Sequence, residues 1–109
     1  MNKIKIMISL SLMTLTLNAN PLNYVKCKVE KDNDRIYCTY HQERVNFQKE
    51  VEFNWQNPKG KIERTKSFVI PKRHASVYDY RFYNGRTKGL WSVYVNDGDE
   101  EFKTTILID

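Results

Sequence analysis

An all-β fold, a single antiparallel β-sandwich of about seven strands, is predicted by three features of the 109-residue sequence. Apolar and polar residues alternate along one stretch after another, the period of a half-buried strand. Turn signals separate those stretches: Lys-Asp-Asn-Asp, Asn-Pro-Lys-Gly, Asn-Gly-Arg-Thr-Lys-Gly and Asn-Asp-Gly. Beyond the N-terminus no apolar 3.6-residue spacing persists, and β-branched and aromatic residues dominate. Alternation throughout implies two packed antiparallel sheets, each with one wet face.

Residues 1–19 stand apart. Lys3 and Lys5 precede an uncharged apolar run from Ile6 to Leu17, and Ala19 is a suitable last residue before cleavage. This is the layout of a secretory signal peptide. The run is shorter than the roughly 20 residues a spanning helix needs. No cysteine lies near Ala19 to carry a lipid. The expectation is a signal peptide over 1–19 and one β-sandwich domain over 20–109, periplasmic or secreted, with no membrane-spanning segment after cleavage. Loss of two lysines lowers the formal charge from +5 to +3, a mildly basic domain. A domain this small buries a modest share of its surface, so a covalent staple is useful.

The staple is predicted between Cys27 and Cys38, the two cysteines of the chain. Around Lys31–Asp34 the flanking residues pair as Glu30–Arg35, Val29–Ile36, Lys28–Tyr37 and Cys27–Cys38, one hairpin register. Val25, Cys27 and Val29 then share a face with Ile36, Cys38 and Tyr40. A four-residue loop makes the cysteines a non-hydrogen-bonded pair, the class with closer side chains. An export signal and this register together indicate a structural disulfide. A redox pair would be C-x-x-C at a helix start. A zinc site would need two more ligands, and parity turns His41 away from Cys38.

The next strand starts at Val45, as one long strand or two with a break near Lys49, its odd positions running through Val51, Phe53 and Trp55. Asn57 to Gly60 is a turn. Residues 61–70 are irregular, because Arg64 and Lys66 share the parity of Ile62, Phe68 and Ile70; an edge strand or a bulge is expected there. Ser76 to Tyr83 alternates, with Tyr78, Tyr80 and Phe82 on one side and Asp79 and Arg81 on the other. Trp91, Val93 and Val95 lead to a hairpin at Asn96–Gly98. Phe102, Thr104, Ile106 and Ile108 complete the last strand.

Two motifs, Trp55-Gln-Asn-Pro58-Lys-Gly60 and Gly89-Leu-Trp91-Ser-Val93, resemble those of immunoglobulin-like accessory domains of bacterial exported proteins. Such domains carry a tryptophan strand running into a Pro-x-Gly turn, then a Gly-x-Trp-x-Val strand and a hairpin to a final strand. The resemblance covers roughly Phe53 to Ile108. It implies a non-catalytic binding or assembly role and supplies no active-site residues. One departure is plain: the antibody disulfide joins two sheets, whereas Cys27–Cys38 joins neighbouring strands of one hairpin.

Catalytic constellations are missing from the sequence. There is no Gly-x-Ser-x-Gly, no H-E-x-x-H and no Gly-rich phosphate loop, and no cofactor is implied. His74 has no neighbour in sequence to orient it. Asp97, Asp99, Glu100 and Glu101 could bind calcium weakly, though a solvated acidic turn is the favoured reading. Binding candidates are two. Lys59, Lys61, Arg64, Lys66, Lys72 and Arg73 form a basic segment with only Glu63 against them, suited to an anionic glycan, a lipid headgroup or an acidic protein; a solvated edge strand kept soluble by charge is favoured. Tyr37, Tyr83 and Tyr94 point outward by parity, as interface tyrosines do. Tyr78, Tyr80, Phe82, Trp55 and Trp91 could line a carbohydrate or peptide groove, but residues on one strand parity are assigned to the core. The expected partner is another envelope protein, not nucleic acid, which export removes.

Overall fold

Residues 23–109 are described by a computed structural model of the chain; the segment 1–19, expected to be a signal peptide, lies outside the described residues. The alternating stretches become seven strands: β1 (Tyr24–Glu30), β2 (Arg35–His41), β3 (Lys49–Gln56), β4 (Ile62–Ile70), β5 (Ser76–Phe82), β6 (Gly89–Asp97) and β7 (Glu100–Ile108). Every pairing is antiparallel. One sheet has the order β1-β2-β5 and the other β4-β3-β6-β7. Among the described residues no helix is long and apolar enough to cross a membrane.

The first hairpin keeps the predicted register, with Glu30 opposite Arg35 and Cys27 opposite Cys38. A 3-10 turn, Lys31–Asn33, closes it, and Asp34 takes the left-handed conformation that aspartate tolerates. Cys27 and Cys38 are disulfide-bonded, with Cα atoms 4.0 Å apart, the close spacing of a non-hydrogen-bonded pair.

The third stretch breaks at Lys49. Residues 43–48 run as loop, and Phe47 is exposed rather than part of a strand. β4 is an edge strand and also carries the bulge: Trp55 faces Arg64 and Gln56 faces Ile62, so Glu63 is extra. Asn57 builds the turn between β3 and β4, its Oδ1 accepting from the N–H groups of Lys59 (2.9 Å) and Lys61 (3.0 Å). The last hairpin turns on Gly98 and Asp99, with Gly98 at positive φ in the first loop position, where a II′ turn takes glycine.

Inward residues of both sheets meet in one core. Ile36, Cys38 and Tyr40 come from the three-stranded sheet, and Phe53, Trp55, Trp91, Val93 and Ile108 from the other. Lettered A, B, C, C′, E, F, G in chain order, the strands form sheets A-B-E and C′-C-F-G. This is compatible with an immunoglobulin-like sandwich; the constant-type domain keeps its strand between C and E in the first sheet instead.

Two buried polar clasps tie the sheets together. Tyr40 of β2 donates its hydroxyl to Asp97 of β6 (2.7 Å), which also takes Lys49 Nζ (2.8 Å). Asp79 of β5 accepts Trp55 Nε1 (2.9 Å) and a two-pronged contact from Arg64 (2.9 and 2.8 Å) on the opposite sheet. Paired this way, buried carboxylates recover their desolvation cost.

Candidate functional site

β5 turns the other way from the expected parity. Its register on β2 sets Asp79 opposite Cys38 and Tyr78 opposite Thr39. Cys38 faces the core, and paired residues share a face, so Asp79 points in and is 3% exposed. Tyr78, Tyr80 and Phe82 point out and are 55%, 42% and 50% exposed. Their assignment to the core is therefore corrected; that of Trp55 and Trp91 holds, both being fully buried. The aromatics of an edge strand normally face inward. Here the inward carboxylate of Asp79 finds hydrogen-bond partners across the sandwich and Arg81 lies over the rings of Trp55 and Trp91, which releases the rings of β5 to the surface.

The outer face of the three-stranded sheet thereby gathers a continuous aromatic patch. Tyr37 of β2 contacts Tyr78 and Tyr80, with ring centroids 6.0 and 6.1 Å apart. Tyr80 meets Phe82 edge-on at 6.2 Å. Arg35 lays its guanidinium over Phe82 (4.5 Å) and Tyr80 (5.1 Å), held from behind by the carbonyls of Asn33 and Asp34. At the far end of the same face Tyr24 stacks on His41 at 4.6 Å.

Beside this patch a cleft of about 480 Å³ opens along the seam where the edges of β4 and β5 face each other. Phe68, Tyr78, Tyr80 and Phe82 line it with Arg64, Lys66, Arg81 and Arg86. Arg64 is committed to Asp79, and that contact raises its pKa further. Arg81 runs inward between Trp55 and Trp91, 5.8 and 5.9 Å from the rings. Burial, and then the charge of Arg86, lower its pKa. Arg81 and Arg86 both reach toward Glu63 Oε1, each at 3.9 Å, beyond hydrogen-bond length. Glu63 Oε2 is held by Asn57 at 2.8 Å.

The predicted basic segment does not form one face. Lys59 and Lys61 sit at the β3–β4 turn, and Lys72 and Arg73 follow the opposite end of β4, about 26 Å away at 3.3 Å per residue. Arg73 takes positive φ and is tied to Asn46 and Val45. Arg64 points inward, and Lys66 lies over Phe68 at the cleft. The three predicted tyrosines also separate. Tyr37 joins the aromatic patch. Tyr94 lies on the outer face of the other sheet, bonded to Gln56 (3.0 Å). Tyr83 packs at the core's end and donates to the Asp109 carbonyl. The acidic turn is split too, since Asp97 is buried beneath Tyr40 while Asp99, Glu100 and Glu101 remain exposed.

Sequence pattern does not single out Arg35 or Arg86 as binding residues; it places Arg81 on the surface beside the outward tyrosines, as at interfaces, whereas the structure turns it inward over Trp55 and Trp91. The one signal in the residues is on β4 and β5 together: both strands alternate charges with apolar residues, and Arg64 and Asp79 are complementary in sign. The chain matches no protein-family model, and no curated protein matches it.

Proposed function

We propose that this chain is a small exported, non-catalytic binding domain of the immunoglobulin-like accessory type, working by contact with another envelope protein in the periplasm or outside the cell. The observation that carries this reading is the patch of Tyr37, Tyr78, Tyr80 and Phe82 around Arg35. Tyrosine and arginine are the residues in which interface energy concentrates, and a free sheet face displaying four rings costs solubility unless something covers it. The disulfide supports an oxidising compartment, as does the layout of residues 1–19. Cleavage after Ala19 would leave residues 20–109, and the intact mass of the exported protein reports it.

The test is a photo-cross-linking amino acid placed at Tyr80, and in a second strain at Asn54 on the opposite sheet, in intact cells. The expected result is one dominant protein adduct from position 80, none from position 54, and loss of the adduct in F82E. Equal labelling from both positions, or adducts only to glycan or lipid, would replace this reading with an electrostatic envelope binder.

A further inference from the structure

We infer that Arg81 and Arg86 form a carboxylate-binding subsite in the β4–β5 seam, which receives an acidic segment of the protein partner while the aromatic patch holds its apolar side chains. This rests on the binding reading above and names the chemistry of the partner. Four cations around the cleft meet two carboxylates, and one of these, Asp79, is fully engaged by Arg64, Trp55 and the Tyr80 N–H. That leaves Glu63 to serve two guanidinium groups at 3.9 Å. Arg81 Nη1 and Arg86 Nε are buried and make no hydrogen bond to any described residue. Guanidinium forks match carboxylates in geometry, and a recessed pair with aromatic walls suits a side chain entering from a protein surface. A flat lipid surface would instead meet exposed lysines.

Glu63 stands in for the ligand. It approaches the same two arginines from β4, with its other oxygen held by Asn57, and so competes with an incoming carboxylate. Removing its charge therefore strengthens binding, which a merely structural carboxylate would not do.

The oxidised protein is titrated with a hexaglutamate peptide at low salt, following the side-chain Nε–H signals of Arg81 and Arg86 by NMR. Both signals are expected to shift saturably. R86Q weakens the affinity by about tenfold, the scale of one lost charge-assisted contact. E63Q tightens it severalfold, and K59Q/K72Q, which removes two charges remote from the cleft, changes it less than twofold. No saturable shift, an equal loss in K59Q/K72Q, or no gain in E63Q overturns the subsite. So does equal or tighter binding of inorganic phosphate or of phosphatidylglycerol vesicles. Should R86Q fail to fold, E63Q still decides. If the position-80 adduct persists undiminished in R86Q cells, the subsite fails while the binding reading stands.

Discussion

Tyr40 shows how much a single hydroxyl can carry. Its ring is fully buried and its O–H ends on Asp97, beside Lys49. Burial first, and then the hydrogen bond to Asp97, push its pKa well above the ordinary value of about 10. The native state thus favours the protonated phenol. Its contribution is fully present below about pH 10 and is lost as pH climbs toward the raised native value. Y40F is expected to cost about 1.5–3 kcal/mol between pH 6 and 9, the range for a hydrogen bond to a charged group. The gap between wild type and Y40F then narrows above about pH 10. Urea unfolding of both proteins across that range checks it, and a gap unchanged at pH 11 would mean that Tyr40 ionisation is not linked to unfolding.

Elements meet where the two tryptophan motifs touch. The β3–β4 turn brings Pro58 against Gly89, the first residue of β6. A Cβ built on Gly89 would lie 2.8 Å from Pro58 Cγ, and Gly89 has φ of 131°. Both the contact and the backbone demand glycine. G89A should cost about 1–3 kcal/mol, and P58A/G89A should recover only part of it, because the backbone strain remains. Full recovery in the double variant would place the whole effect in the clash. The same contact explains why a Pro-x-Gly turn and a Gly-x-Trp strand occur together: Pro58 needs a residue without a side chain opposite it.

At the scale of the whole molecule, no disulfide joins the two sheets. The disulfide lies within one hairpin, so the polar clasps at Asp79 and Asp97 supply directional hydrogen bonds between the sheets. D79A leaves Arg64 and the indole N–H of Trp55 without their acceptor and should lower stability by about 3 kcal/mol, at the low end for a broken buried pair because Arg64 is partly exposed. Chemical denaturation measures it; a loss below about 0.5 kcal/mol would show that the clasp is dispensable. The clasp also sets the outer surface. With Asp79 and Arg81 held inside, β5 can only turn its rings outward. The two outer faces differ in charge as well. The three-stranded face carries Lys26, Lys28 and Arg35 against Glu30, and the other carries Glu50, Glu52 and Glu101 against Lys103. An acidic partner is steered toward the aromatic side.

Local pattern by itself determined the all-β class, the hairpin register of β1 and β2, the disulfide, the irregular edge strand β4 and the inward residues of β3, β6 and β7. Each of these follows from neighbours in sequence: a period of two, a four-residue loop, a turn signal. The exposed aromatic face was not legible in this way. Parity says that Tyr78 and Asp79 face opposite sides, but not which side is inside. That choice was made by Arg64 and Trp55, 15 and 24 residues away, which offset the lost hydration of Asp79 inside and so allow the rings to stay outside. The dispersal of Lys59 and Arg73 to opposite ends of one strand, and the convergence of Arg81 and Arg86 on Glu63, likewise depend on how the two sheets stack. Sequence carries the period of each strand; only the tertiary structure decides which charges are neutralised in the interior and which remain exposed.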